Sequence, residues 1–153
     1  MVAVHAEPDL FDPPPVDAPP DVWAAFFDGL PQSRAFGIRF AEMDAGRLVA
    51  TFDPRSFPPN PNGAVHGGLV VAAADHVMGM CATATARERL PATATLLSSF
   101  LRPSFAPLRY EARVIQAGRN VLFLEATVDD RDGRRCATFN GTWMAGAARP
   151  RTA

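Results

Sequence analysis

Apolar residues occupy nearly every position from Leu69 to Ala82: Leu69, Val70, Val71, Ala72, Ala73, Ala74, Val77, Met78, Met80 and Ala82. That density predicts a helix from Gly67 to about Arg89, ended by Pro91. A helix apolar on all sides must be surrounded by protein. Its many Ala and Gly residues allow a sheet to approach closely. The remaining apolar positions follow strand patterns. Gly37 to Asp53 reads as a hairpin that turns at Asp44-Ala45-Gly46. After the helix come Ala92 to Leu101, Leu108 to Gln116, Val121 to Val128 and Arg134 to Met144. Turns at Ala117-Gly118-Arg119-Asn120 and Asp129-Asp130-Arg131-Asp132-Gly133 make the last three an antiparallel meander. One long helix against about five or six antiparallel strands is α+β. A single sheet that covers a wholly apolar helix must curl around it.

The ends differ. Residues 1–20 hold Pro13-Pro14-Pro15, Pro19-Pro20 and acids without Arg, the composition of a flexible tail. Asp21 is placed to cap a short helix to about Leu30, with Trp23, Phe26, Phe27 and Leu30 on one face. One domain is expected over 21–146, with a short tail at 147–153.

The polar breaks in the apolar helix carry the chemistry. His66-Gly67-Gly68 stands at its start. Two glycines permit close backbone approach, and the first N–H groups of a helix lack intrahelical partners and favour negative charge. Further along sits Asp75, a carboxylate expected to be buried and therefore costly unless partnered. Gly67 and Asp75 are eight positions apart, or ~12 Å along the axis at 1.5 Å per residue. They cannot both reach one carbonyl at ~3 Å. Either they act separately, or Gly67 of one chain works with Asp75 of another. A two-fold dimer with antiparallel helices would create two such sites. Other readings stay open: His66 as a cap or as a proton carrier, Gly67 and Gly68 as packing residues, Asn60 as a turn residue. His76 adjoins Asp75 but lies about 100° round the helix, and is expected to be structural.

Composition narrows the classes. The net charge is −1, and all fifteen cations are Arg. No basic stripe points to nucleic acid. His66, Asp75 and His76 interrupt the apolar run, so no membrane span is expected. Cys81 and Cys136 read as reduced, buried thiols in a cytoplasmic protein. Three scattered His and two distant Cys make no metal-ligand spacing. Asn140-Gly141-Thr142 is a chance sequon.

Asn60, then His66-Gly67-Gly68, then Ala74-Asp75 inside the apolar helix, with Phe100-Leu101-Arg102-Pro103 closing the next strand, resembles the hotdog-fold thioesterases of the PaaI-like, phenylacetate-type group. The resemblance covers Gly37 to Ala145. It implies a curved antiparallel sheet around the central helix, assembled as a homodimer and often a homotetramer. The implied activity is hydrolysis of acyl-coenzyme A thioesters, aromatic or medium-chain, without a metal or other cofactor. By position, Asp75 is similar to the family's nucleophile or general base, and Gly67 to the donor that polarises the carbonyl. Asn60 resembles the residue that holds water or substrate, and His66 its neighbour in support. Thr93 falls where part of the family positions the water, and Thr95, two residues on, is the alternative if a strand keeps its face. Gly68 and Arg102 are expected to contact substrate. Arg87, Arg89 and Arg119 are further candidates for the coenzyme A phosphates. A branch with Thr one turn after the carboxylate differs from this chain, which has Gly79 there. Competing readings are a hotdog dehydratase or hydratase, and a non-catalytic acyl-coenzyme A binding protein.

Overall fold

The computed structural model describes residues 13–15, 17–86 and 89–146. Most of the expected N-terminal tail, His5, Arg87 and the expected tail at 147–153 lie outside the described residues. The elements run α1 (Pro20–Gly29), α2 (Pro31–Phe36), β1 (Ile38–Asp44), β2 (Arg47–Phe52), α3 (Gly67–Ala86), β3 (Ala92–Phe100), β4 (Leu108–Ala117), β5 (Val121–Asp129) and β6 (Arg135–Met144).

All six strands join one antiparallel sheet in the order β1-β2-β4-β5-β6-β3. The long α3 packs across β2, β4, β5, β3 and β6, so the sheet curls round it as expected. By length and composition α3 could also cross a membrane. Here its Val70, Ala73, Ala74, Val77, Met78, Cys81 and Ala82 are buried in the core cluster. The small residues bring the sheet close, and large ones from the strands, including Phe52, Tyr110, Phe139 and Trp143, fill the space between. Tyr110 donates its hydroxyl to Val70 O at 3.1 Å, tying the first turn of α3 to β4.

The structure departs from expectation in four places. The first helix starts at Pro20, with Pro19 at its cap and no side-chain cap bond, so Asp21 sits inside the first turn instead of before it. Proline is favoured there because the missing N–H is one the helix could not have used. Ala18, in the expected tail, packs on the core. A further helix, α2, follows at once and ends in Gly37 at φ 76°, a left-handed cap. Its six residues are too few for periodicity to reveal. Finally, α3 is not enclosed on every side. Gly68 is exposed, and Val71, Ala72, Asp75 and Gly79 are only half-buried.

Both Cys are free and buried. Burial pushes the Cys81 thiol up to about 12 and raises Cys136 as well.

Candidate active site

The start of α3 is built by His66. Its carbonyl accepts the N–H of Leu69 at 2.9 Å and of Val70 at 3.2 Å. Its ring Nδ1 accepts the N–H of Gly68 at 3.0 Å, which puts the ring proton on Nε2. His66 therefore fills the role that Ser, Thr or Asp usually takes before a helix. Three donors of the first turn are thus satisfied. Gly67 N–H has no acceptor among the described residues, and it is half-buried. A Cβ on Gly67 would lie 3.4 Å from the Phe100 ring, so glycine keeps the approach to this donor open beside an aromatic wall.

The loop before the helix is braced by hydrogen bonds. Asn60 Oδ1 accepts the N–H groups of Asn62 at 2.9 Å and Ala64 at 3.1 Å. Asn60 N–H donates to Ala64 O, and Val65 N–H donates to Ser104 O, each at 2.8 Å. These bonds hold Asn60 and Gly67 on one cleft of about 310 Å³. Phe100, Leu101 and Arg102 supply its other wall. Asn60 uses its carbonyl oxygen on the loop, which leaves its amide N–H groups for a ligand.

Asp75 belongs to a second cluster. It is half-buried, not buried as expected, because it lies on the uncovered face of α3. Thr93 Oγ1 donates to Asp75 Oδ1 at 2.7 Å. Thr95 does not join them. Its hydroxyl lies 2.8 Å from that of Thr142. The cause is a bulge: Thr93 pairs with Trp143 but Thr95 pairs with Thr142, so one residue is extra in β3. Neighbours on β6 point to opposite faces, and Thr93 and Thr95 therefore do so too. Thr93 shares the helix side with buried Trp143, and Thr95 takes the outer side.

Gly68 is exposed with its N–H taken by His66, so it does not offer a second donor. Arg102 lines the cleft. Arg89 donates to Arg119 O at 2.5 Å, beyond the far end of α3 from Gly67. His76 turns to the other side of the helix, with Nε2 2.8 Å from Ser33 Oγ and the rings of Phe36 and Phe40 nearby. Burial holds its pKa below the usual range, partly offset by Asp75. Phe100 and Ser104 were not foreseen as site residues. Phe100 was visible in the Phe-Leu-Arg-Pro run, whereas Ser104 reaches the loop only through tertiary contact.

One chain thus carries two separate candidate clusters. One sets the Gly67 N–H, without an acceptor among the described residues, beside Asn60 and Arg102. The other is a carboxylate held by a hydroxyl. They are ~12 Å apart along α3.

A family model described as Thioesterase superfamily matches residues 62–137. The proofreading thioesterase EntH of Klebsiella pneumoniae subsp. pneumoniae is 32% identical over 113 residues, covering 72% of this chain and 82% of that protein. The E. coli PaaI protein from the phenylacetic acid degradation operon has a similar structure, with TM-score 0.71 and 22% identity over 81% of this chain and 90% of that one. The smu.793 protein of Streptococcus mutans UA159, solved bound to acetyl CoA, gives TM-score 0.67 and 18% identity over 74% and 91%. At these identities the two structures speak for fold alone.

Proposed function

This chain belongs to the thioesterase superfamily and has the hotdog fold, and we propose that it hydrolyses acyl-coenzyme A thioesters with aromatic or medium-chain acyl groups. The observation that carries the reading is the Gly67 N–H, without an acceptor among the described residues at the start of a long helix. A thioester carbonyl becomes an oxyanion when attacked, and a fixed donor there lowers the barrier by ~3–4 kcal/mol in comparable sites. Asp75, oriented by Thr93, attacks the carbonyl carbon or takes a proton from the attacking water. By either route water supplies the hydroxyl of the free acid, and the coenzyme leaves as its thiolate. Asn60 amide groups hold water or substrate, His66 maintains the donor geometry, and Arg102 meets coenzyme phosphate. The smu.793 protein, alike in fold, was solved bound to acetyl CoA, and a coenzyme A thioester is the ligand proposed here by that likeness of fold.

The two half-sites act together in a homodimer, Gly67 of one protomer facing Asp75 of its partner. Two features support this. Gly68, Ala72, Asp75 and Gly79 form a small-residue stripe on the uncovered face of α3, which suits the approach of a second helix. The edge strand β3 leaves Leu97 66% and Phe100 50% exposed, a hazard in a monomer that pairing of edges would remove. Two such dimers make the tetramer of this reading, and the unpaired thiols fit a reducing cytoplasm.

Thiol release from a panel of acyl-coenzyme A thioesters, with wild type and Asp75→Asn, tests the reaction. Turnover that falls several hundred-fold, about the loss expected when a reacting group is removed, supports it. Equal turnover by the variant would sink the role of Asp75. No turnover on any short, medium or aromatic acyl group would sink the reaction.

A further inference from the structure

A second cavity, of about 200 Å³, lies on the other side of the 60–65 loop from the Gly67 cleft. Phe57, Val65, Leu69 and Phe105 give it apolar walls. Arg131 stands among them, its guanidinium carbon 5.3 Å from the centre of the Phe105 ring. The Arg131 backbone also donates to Phe105 O at 3.0 Å, so ring and guanidinium are held as a unit. The acid at this cavity, Asp53, is engaged by Arg55 at 2.6 Å. Arg131 has no carboxylate partner among the described residues. The cavity therefore combines an apolar floor with one pre-oriented cation that has no ion-pair partner among the described residues.

We propose that this cavity binds a small aromatic carboxylate, its ring against Phe57, Phe105 and Leu69 and its carboxylate on the Arg131 fork. The guanidinium matches a carboxylate with two parallel bonds, and stacking on Phe105 spares part of the ordering cost. Size selects the ligand. An apolar cavity of about 150 Å³ accepts benzene, so this one has room for a ring and a short acidic arm. It falls below the ~300–1,000 Å³ of sites for larger ligands. The site is separate from the Gly67 cleft because the hydrogen-bonded 60–65 loop stands between them, with Val65 lining both. An aromatic acid is also what hydrolysis of an aromatic thioester releases. The link to product rests on the proposed function, but the binding site does not.

Calorimetric titration of phenylacetate into the full chain tests the site. Saturable binding is expected, weakened about tenfold or more in Arg131→Gln, the effect of one charge-assisted pair. Phe57→Ala, at a 40% exposed loop side chain, should weaken it without altering charge. Asp75→Asn should leave it unchanged, and adenosine 3′,5′-bisphosphate should not compete. Absence of saturable binding, or equal affinity in Arg131→Gln, would overturn the proposal. Displacement by the bisphosphate would overturn it too, making the cavity a seat for the nucleotide end of the coenzyme. Binding that persists in a protein without thioester turnover would leave this site standing and sink the proposed reaction alone.

Discussion

The hydroxyl of Thr93 donates to Oδ1 of Asp75 at 2.7 Å, joining β3 to the middle of α3 across eighteen positions of sequence. The bond occupies one carboxylate oxygen and leaves the other without a hydrogen bond among the described residues. It also fixes the side chain on the face of α3 that the sheet leaves uncovered.

Thr93→Val should keep the fold, because the hydroxyl is replaced by a methyl of similar shape. The lost hydrogen bond to a charged acceptor is worth about 1.5–3 kcal/mol, so kcat should fall about tenfold or more with little change in KM. Thr95→Val should change kcat by less than about twofold, since that hydroxyl is on the other face of the bulge. Steady-state kinetics of the pair decides it, and equal losses in both would sink the assignment of Thr93.

The proposed sharing of the site between protomers is open to a complementation test. Proline is tolerated at the first position of a helix, so Gly67→Pro deletes the donor N–H, and its ring also fills the approach beside Phe100. Alone, Gly67→Pro and Asp75→Asn should both be nearly inactive. Dissociated, mixed and reassembled, they should recover about a quarter of wild-type activity, because half the dimers are mixed and each has one intact site. No recovery, with mixed dimers confirmed by mass spectrometry, would place Gly67 and Asp75 in separate roles.

His66→Ala removes a cap and frees the N–H of Gly68. Stability should fall by about 1 kcal/mol, lowering Tm by about 2–4 °C. Activity should fall far less than in Asp75→Asn, because His66 is spent on backbone geometry. A loss as large as that of Asp75→Asn, together with the disappearance of a pH-rate limb, would make His66 a proton carrier instead.

Acid stability should depend on Glu111. Hydrogen bonds from Arg47 above all, and from Arg113 and Arg109, hold its carboxyl at about 2 against an ordinary 4.5. The folded pKa is depressed, so the stabilisation is complete above pH 4.5 and is lost as pH falls toward 2. Discounted for solvent screening, it amounts to about 1–2 kcal/mol. Urea midpoints of wild type and Glu111→Gln should therefore differ at pH 7 and converge toward pH 2. His76, held below 6.5 by burial, adds a separate loss that begins as pH drops under 6.5 in both proteins. A gap between the two proteins that stays constant down to pH 2 would sink the prediction.

Periodicity and composition determined most of the scaffold. The apolar run, the hairpin and the meander are local patterns, and a helix without a polar face admits few arrangements other than a sheet curled about it. The spacing of Gly67 and Asp75 is also a local quantity, since the rise of a helix is constant, and it alone sets the two residues too far apart to meet one carbonyl. What sequence could not decide depends on contacts between distant segments. A bulge changes which face Thr95 takes, and it is set by the pairing of β3 with β6. Whether His66 caps or catalyses depends on where its ring points, and the ring points at Gly68. The exposure of Asp75 depends on how far six strands reach round a helix. Arg131 looked like one charge in a turn, and only the fold set it on Phe105 beside an apolar cavity. Side-chain direction and burial are properties of packing, and packing joins residues that the chain keeps far apart.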